Sequence, residues 1–85
     1  MKDAWEALAD KTRREILALL KGRPHTAGEI ADQFALSNST VSHHLNVLKE
    51  GRLISSQKRA QTIIYSLNMT VFREVMKTVS DFLKK

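Results

Sequence analysis

Residues 26–54 read TAGEIADQFALSNSTVSHHLNVLKEGRLI, and this stretch decides the fold. Thr26 with Glu29 three positions later forms a capping box, in which hydroxyl and carboxylate each satisfy an orphan amide. Ala27, Ile30, Ala31 and Phe34 follow at i, i+3, i+4 and i+7, which predicts a helix from Thr26 to about Ala35. Only Leu36 and Ser37 separate it from the next helix, which opens at Ser37-Asn38-Ser39-Thr40, runs to Glu50 and stops at Gly51. Two helices joined so tightly make a helix-turn-helix, with Leu36 expected to plug the turn into the core.

Upstream, Trp5, Leu8 and Ala9 recur at helical spacing in a short opening segment. Asp10 then caps a helix from Lys11 to Lys21. Ile16, Leu17, Leu19 and Leu20 form its buried stripe, Arg13, Arg14 and Glu15 turn outward, and Gly22 stands just past its end. Pro24 breaks the chain, and His25 after it is read as a solvated loop residue. Downstream of Gly51 the period changes. Leu53-Ile54-Ser55 and Thr62-Ile63-Ile64-Tyr65-Ser66 flank the polar run Gln57-Lys58-Arg59-Ala60-Gln61, which predicts a β-hairpin with a basic tip. Asn68 caps a last helix whose apolar positions are Phe72, Val75, Met76, Val79, Phe82 and Leu83.

The chain has 85 residues, 14 Lys and Arg against nine Asp and Glu, a net charge of +5 and no cysteine. This length suits a single domain over residues 1–85. So short a chain buries only about 60% of its unfolded surface, and without disulfides oligomerisation is the expected supplement. The charge favours a polyanionic partner. Without cysteine there are no thiolate metal sites and no covalent cysteine catalysis. The opening Met1-Lys2-Asp3-Ala4-Trp5 has no apolar secretory core and no run approaches a membrane span, so a cytoplasmic protein is expected.

Turning the helix from Ser37 to Glu50 at about 100° per residue gathers Val41, Leu45 and Leu48 on one side, with His44 at the edge. The opposite side carries Ser39, Ser42, His43 and Asn46, with Asn38 and Thr40 in the first turn. It is almost free of charge. A solvated helix face is ordinarily built from Lys, Glu, Gln and Arg, which have better helix propensity and solubility. Base edges in a major groove would justify the lower propensity: Asn pairs with adenine, Ser and Thr donate and accept, and His donates to guanine. The plainer alternative leaves Ser37–Thr40 as an N-terminal cap and His43 as a solvated ring. Lys58 and Arg59 at the hairpin tip, Arg52 at its base, and Lys11, Arg13 and Arg14 on the earlier helix favour the base-reading alternative, since they are placed to meet phosphates on either side of the groove.

At these residues the chain resembles the ArsR/SmtB family of winged-helix bacterial repressors, from about Asp3 to Leu83. Leu8-Ala9-Asp10-Lys11-Thr12-Arg13-Arg14-Glu15-Ile16-Leu17 resembles the family's second-helix signature. Ser39–Ile54 resembles its recognition helix and first wing strand. The resemblance implies a winged helix-turn-helix, mostly α with a small β-hairpin in the order α-α-α-α-β-β-α, and dimeric through its terminal helices. It implies that Asn38, Ser39, Ser42 and His43 touch bases or nearby phosphates, while Lys58 and Arg59 approach the minor groove. Three departures stand out. Lys11 replaces the usual proline at the helix start, and Ala60 replaces the glycine often found at the wing tip, which leaves the wing conformation open. The metal ligands of the family's sensors are also missing: Thr26–Ala35 has no cysteine, and Asn68–Leu83 has no His, with Glu74 and Asp81 its only acids. No metal site and no cofactor are expected, and the chain is most similar to the short, cysteine-free autorepressors of the family.

His43 and His44 are adjacent, so their rings diverge and cannot chelate one ion within the helix. No HExxH, P-loop, glycine-rich cradle or Ser-His-acid set is present, so an enzyme is not expected. Trp5, Leu8, Phe72, Val75, Met76, Val79, Phe82 and Leu83 offer more apolar surface than so small a core can cover. Pairing of first and last helices across a two-fold axis would bury it and set two recognition helices about 34 Å apart, one DNA turn. Membrane adsorption of the last helix, which ends in Lys84-Lys85, is the lesser reading. The expected function is a homodimeric, sequence-specific repressor on an inverted-repeat operator of double-stranded DNA. The alternatives are a nucleic-acid-binding or nucleoid-type protein without sequence preference, and a winged-helix protein-interaction module.

Overall fold

The computed structural model describes residues 3–84; what was read from Met1, Lys2 and Lys85 lies outside them. The elements are α1 (Ala4–Leu8), α2 (Lys11–Gly22), β1 (His25–Thr26), α3 (Ala27–Phe34), α4 (Asn38–Glu50), β2 (Ile54–Arg59), β3 (Thr62–Leu67) and α5 (Met69–Leu83). Every helix starts on a side chain that accepts from a backbone amide of its first turn: Asp3, Asp10, Thr26, Ser37 and Asn68. At α3 the capping box is complete, with the Glu29 amide donating to Thr26 Oγ1 at 3.1 Å and the Thr26 amide donating to Glu29 Oε1 at 2.9 Å. That amide bond holds the Glu29 carboxyl below its ordinary pKa, more than the neighbouring Arg23 does.

The predicted hairpin is present, and β1 adds a third strand in the order β1-β3-β2. Two residues are too few to show a strand period, which is why this strand is not readable from the sequence. Its consequence falls on His25. Paired antiparallel to Tyr65, the residue is 7% exposed, with Nδ1 2.8 Å from the Arg23 carbonyl, so the solvated reading of His25 is corrected.

The core joins Ala7 of α1, Ile16, Leu17 and Leu20 of α2, Ile30 and Ala31 of α3, and Val41, Leu45, Val47 and Leu48 of α4 to Leu53, Ile54 and Val75. Leu36 packs against it from the turn, and its amide donates to the Ala31 carbonyl at 3.0 Å. The turn is made by Ala35 in the left-handed region, φ 53°. Gly51 has an ordinary φ of −77°, so its role is space and not punctuation. A Cβ there would lie 3.1 Å from backbone atoms of Asp3 and Ala4, so the bare position lets the start of α1 approach α4 this closely.

Candidate nucleic-acid interface

The helix-turn-helix presents α4 with Val41, Leu45, Val47 and Leu48 inside and Asn38, Ser39, Ser42, His43 and Asn46 exposed. The exposed set forms one uncharged arc; Lys49 and Glu50 extend it only at the C-terminal end. Thr40 is also exposed, but its hydroxyl accepts from Ser37 Oγ at 2.8 Å and its amide donates to the same oxygen at 3.2 Å. Thr40 therefore belongs to the cap, and Ser39 Oγ also lies 3.3 Å from Ser37 Oγ, while Asn38, Ser42, His43 and Asn46 make no side-chain hydrogen bond to the cap among the described residues.

His44, half-buried at the edge of the arc, turns back into the protein. Its Nδ1 lies 3.4 Å from Arg13 Nη1. A guanidinium only donates, so Nδ1 accepts and the ring is neutral with its proton on Nε2. Burial lowers the pKa of His44; the Asp10 carboxylate opposes that shift, and Arg13 and His43 reinforce it. Asp10 in turn is held below the usual carboxylate range, chiefly by the Arg13 amide that it caps.

The cations divide into two groups. Arg13, expected to turn outward toward phosphate, is half-buried and clamps α1: Nε donates to the Ala7 carbonyl at 2.9 Å and Nη2 to the Glu6 carbonyl at 3.2 Å. Arg14 is exposed, with Nη1 donating to the Leu8 carbonyl at 2.7 Å. These two arginines close the open carbonyl end of α1. Lys11 makes an exposed i,i+4 pair with Glu15 at 3.8 Å, a contact worth little in water. Arg52, Lys58 and Arg59 are exposed and carry no ion pair among the described residues.

The wing register separates what the sequence treats as one basic tip. Lys58 pairs with Ile63 and Arg59 with Thr62, so the two cations stand on opposite faces of the ribbon. Lys58 shares its face with Ile63, 46% exposed, and then with Tyr65 and Leu67 toward the core. Ile63 is an exposed apolar group on the wing that charge-based reading passes over; the alternation Ile63, Tyr65, Leu67 is the signal that marks it. Ala60 takes φ 55° in the wing turn, so the residue in the glycine's place keeps the left-handed conformation.

The terminal apolar set also divides. Val75 is 8% exposed within the single chain and belongs to its core, while Leu8 and Phe72 are half-buried against that core. Trp5, Met76, Val79, Phe82 and Leu83 remain exposed. Trp5 comes together with Val79, Phe82 and Leu83 around an apolar concavity of about 300 Å3. Among the described residues no group of three or more His, Asp or Glu is placed to hold a metal ion, and no helix is long and apolar enough to cross a membrane.

Comparison with known proteins gives this geometry a family. A helix-turn-helix domain family matches residues 8–57. The transcriptional repressor SdpR of Bacillus subtilis is 45% identical over 85 residues, covering all of this chain and 94% of the relative. The crystal structure of a possible transcriptional regulator for arsenical resistance superposes with a TM-score of 0.86 at 29% identity, over 96% of this chain and 85% of the other. The homodimeric winged helix-turn-helix DNA-binding domain of a possible ArsR-family regulator from Mycobacterium bovis does so with a TM-score of 0.76 at 28% identity, over 89% and 73%. The full-length similarity to a repressor and the shared winged helix-turn-helix agree: this chain belongs to the ArsR/SmtB family of DNA-binding transcriptional repressors.

Proposed function

We propose that this chain acts as a homodimer on an inverted-repeat operator, with the α4 faces of two copies in successive major grooves and the wings on the flanking backbone. The observation that carries the reading is the uncharged, exposed arc of Asn38, Ser39, Ser42, His43 and Asn46 on an otherwise basic chain. Affinity without discrimination would be met more simply by Lys and Arg at those positions. Base reading calls for short groups that donate and accept. Exposed Trp5, Val79, Phe82 and Leu83 support pairing of the terminal helices, which would fix the half-site spacing.

Selection from a random duplex pool tests this. The expected outcome is an inverted repeat with half-site centres about 10 base pairs apart, bound at least about a thousandfold more tightly than a scrambled duplex. Equal binding of both duplexes would identify a nucleoid-type protein, and no salt-dependent binding to any duplex a protein-interaction module.

A further inference from the structure

A cleft of about 310 Å3 lies between α2 and α5, reaching Leu67 at the core end of β3 but away from α4 and the wing tip. Leu17, Leu67, Phe72 and Met76 make its walls, and its only charged lining residues are Arg14 and Lys21. Arg14, Leu17 and Lys21 fall at i, i+3 and i+7 on one stripe of α2, which puts the two cations about 10 Å apart along the floor. Arg14 uses one N–H on the Leu8 carbonyl and keeps further donors; Lys21 has no hydrogen bond or ion pair among the described residues. The concavity at Trp5 and Phe82 differs, since it is lined by no charge and suits another apolar protein surface.

We propose that the α2–α5 cleft binds a small amphipathic carboxylate, its alkyl chain along Leu17, Leu67 and Met76 and its head group on Lys21. The volume is at the low end of the roughly 300–1,000 Å3 usual for small-molecule pockets. The walls give an uncharged sugar nothing to bond, and a cationic amphiphile would meet like charge. An anion with an apolar chain satisfies both the walls and the two cations. The inference concerns binding alone and does not rest on the operator reading.

Titration of decanoate into methyl-labelled full chain tests it, with decylamine as the charge-inverted control and the Ile63 methyls as the remote reference. Decanoate should give saturable shifts at Leu17, Leu67 and Met76, with decylamine at least about tenfold weaker. Lys21→Gln should weaken decanoate by about tenfold without changing the thermal midpoint. Ala18→Phe, which fills the cleft from its exposed lip, should abolish the shifts. Failure to saturate by millimolar decanoate would overturn the proposal, as when a partner copy covers the cleft. Equal affinity for the two amphiphiles, or shifts confined to Phe82 and Leu83, would overturn it too. If Ala18→Phe misfolds, unchanged affinity in Lys21→Gln alone is enough to reject it.

Discussion

The Arg13 guanidinium reaches three helices from one side chain: it stands on α2, holds the α1 carbonyls of Glu6 and Ala7, and meets His44 Nδ1 of α4 at 3.4 Å. The helix that would read bases is thereby tied to the helix that carries Trp5. Arg13→Ala takes a donor from the part-buried Ala7 carbonyl and His44 Nδ1, while the Glu6 carbonyl keeps the Ala9 amide, and should cost about 1–3 kcal/mol. Arg13→Lys should recover little of it, because an ammonium has no planar fork to span separate acceptors. Urea unfolding checks both. A salt slope for DNA binding that falls by a full phosphate contact, with stability intact, would return Arg13 to the phosphate-binding group.

The same link sets a pH dependence. Burial holds the pKa of His44 below its ordinary 6.5, so the unfolded chain takes up this proton before the folded one does. The contribution of neutral His44 is intact above that ordinary value and declines as pH falls through it, levelling off once the folded ring is protonated as well. Protonation also removes the acceptor for Arg13 and sets two cations together. The unfolding free energy of the wild type should therefore drop more steeply than that of His44→Gln between about pH 7 and 5. A wild type that gains stability relative to the variant on acidification would contradict the assigned tautomer.

Backbone strain and backbone space give opposite signs for two small substitutions. Ala35 holds φ 53° at the end of α3, where a side chain costs about 1–2 kcal/mol relative to glycine. Ala35→Gly should leave stability unchanged or raise it by up to about 1 kcal/mol, since the added freedom of the unfolded chain takes back part of the gain. Gly51→Ala should lower it by about 1–3 kcal/mol through the contact with Asp3 and Ala4, although φ there is ordinary. Thermal unfolding of the two variants separates the causes.

How much was legible follows from the range of each signal. Caps and apolar periods are local, so the helices, the tight turn and the exposed arc of α4 are written in Thr26, Ser37, Ile30, Val41 and Leu45 themselves. What the local pattern hides is set by partners far along the chain. Arg13 looks outward on a helical wheel until α1 folds over it, and His25 looks solvated until Tyr65 pairs with it. Val47 lies outside the stripe of Val41 and Leu45, yet it is buried. Lys58 and Arg59 are adjacent in sequence, and only the strand register places them on separate faces.

The split of the terminal apolar residues makes a prediction in two parts. Val75, inside the single chain, should lose about 0.5–2 kcal/mol of fold stability as Val75→Ala at any protein concentration. Phe82, 76% exposed, has no such role within the chain. Phe82→Glu should halve the mass seen by sedentimentation analysis at micromolar concentration and make unfolding independent of concentration. An undissociated Phe82→Glu dimer would move the interface off the C-terminal half of α5.

The wing provides the sharpest distinction, because Lys58 and Arg59 carry equal charge on opposite faces. Long-range attraction alone would make Lys58→Ala and Arg59→Ala equivalent. Direct phosphate contact would not, since the ribbon lays one face on the duplex at a time. The residue on the contacting face should lower the slope of log affinity against log salt by about 0.9, and its neighbour by much less. Ile63 identifies the face. If Lys58 is the steeper loss, its cross-strand neighbour Ile63 lies against the DNA as well, and Ile63→Ser should weaken binding at high salt, where charge contributes least. If Arg59 is steeper, Ile63→Ser should leave affinity unchanged. Equal slopes for the two lysine and arginine variants would mean that the wing acts as diffuse charge and that its register has no part in binding.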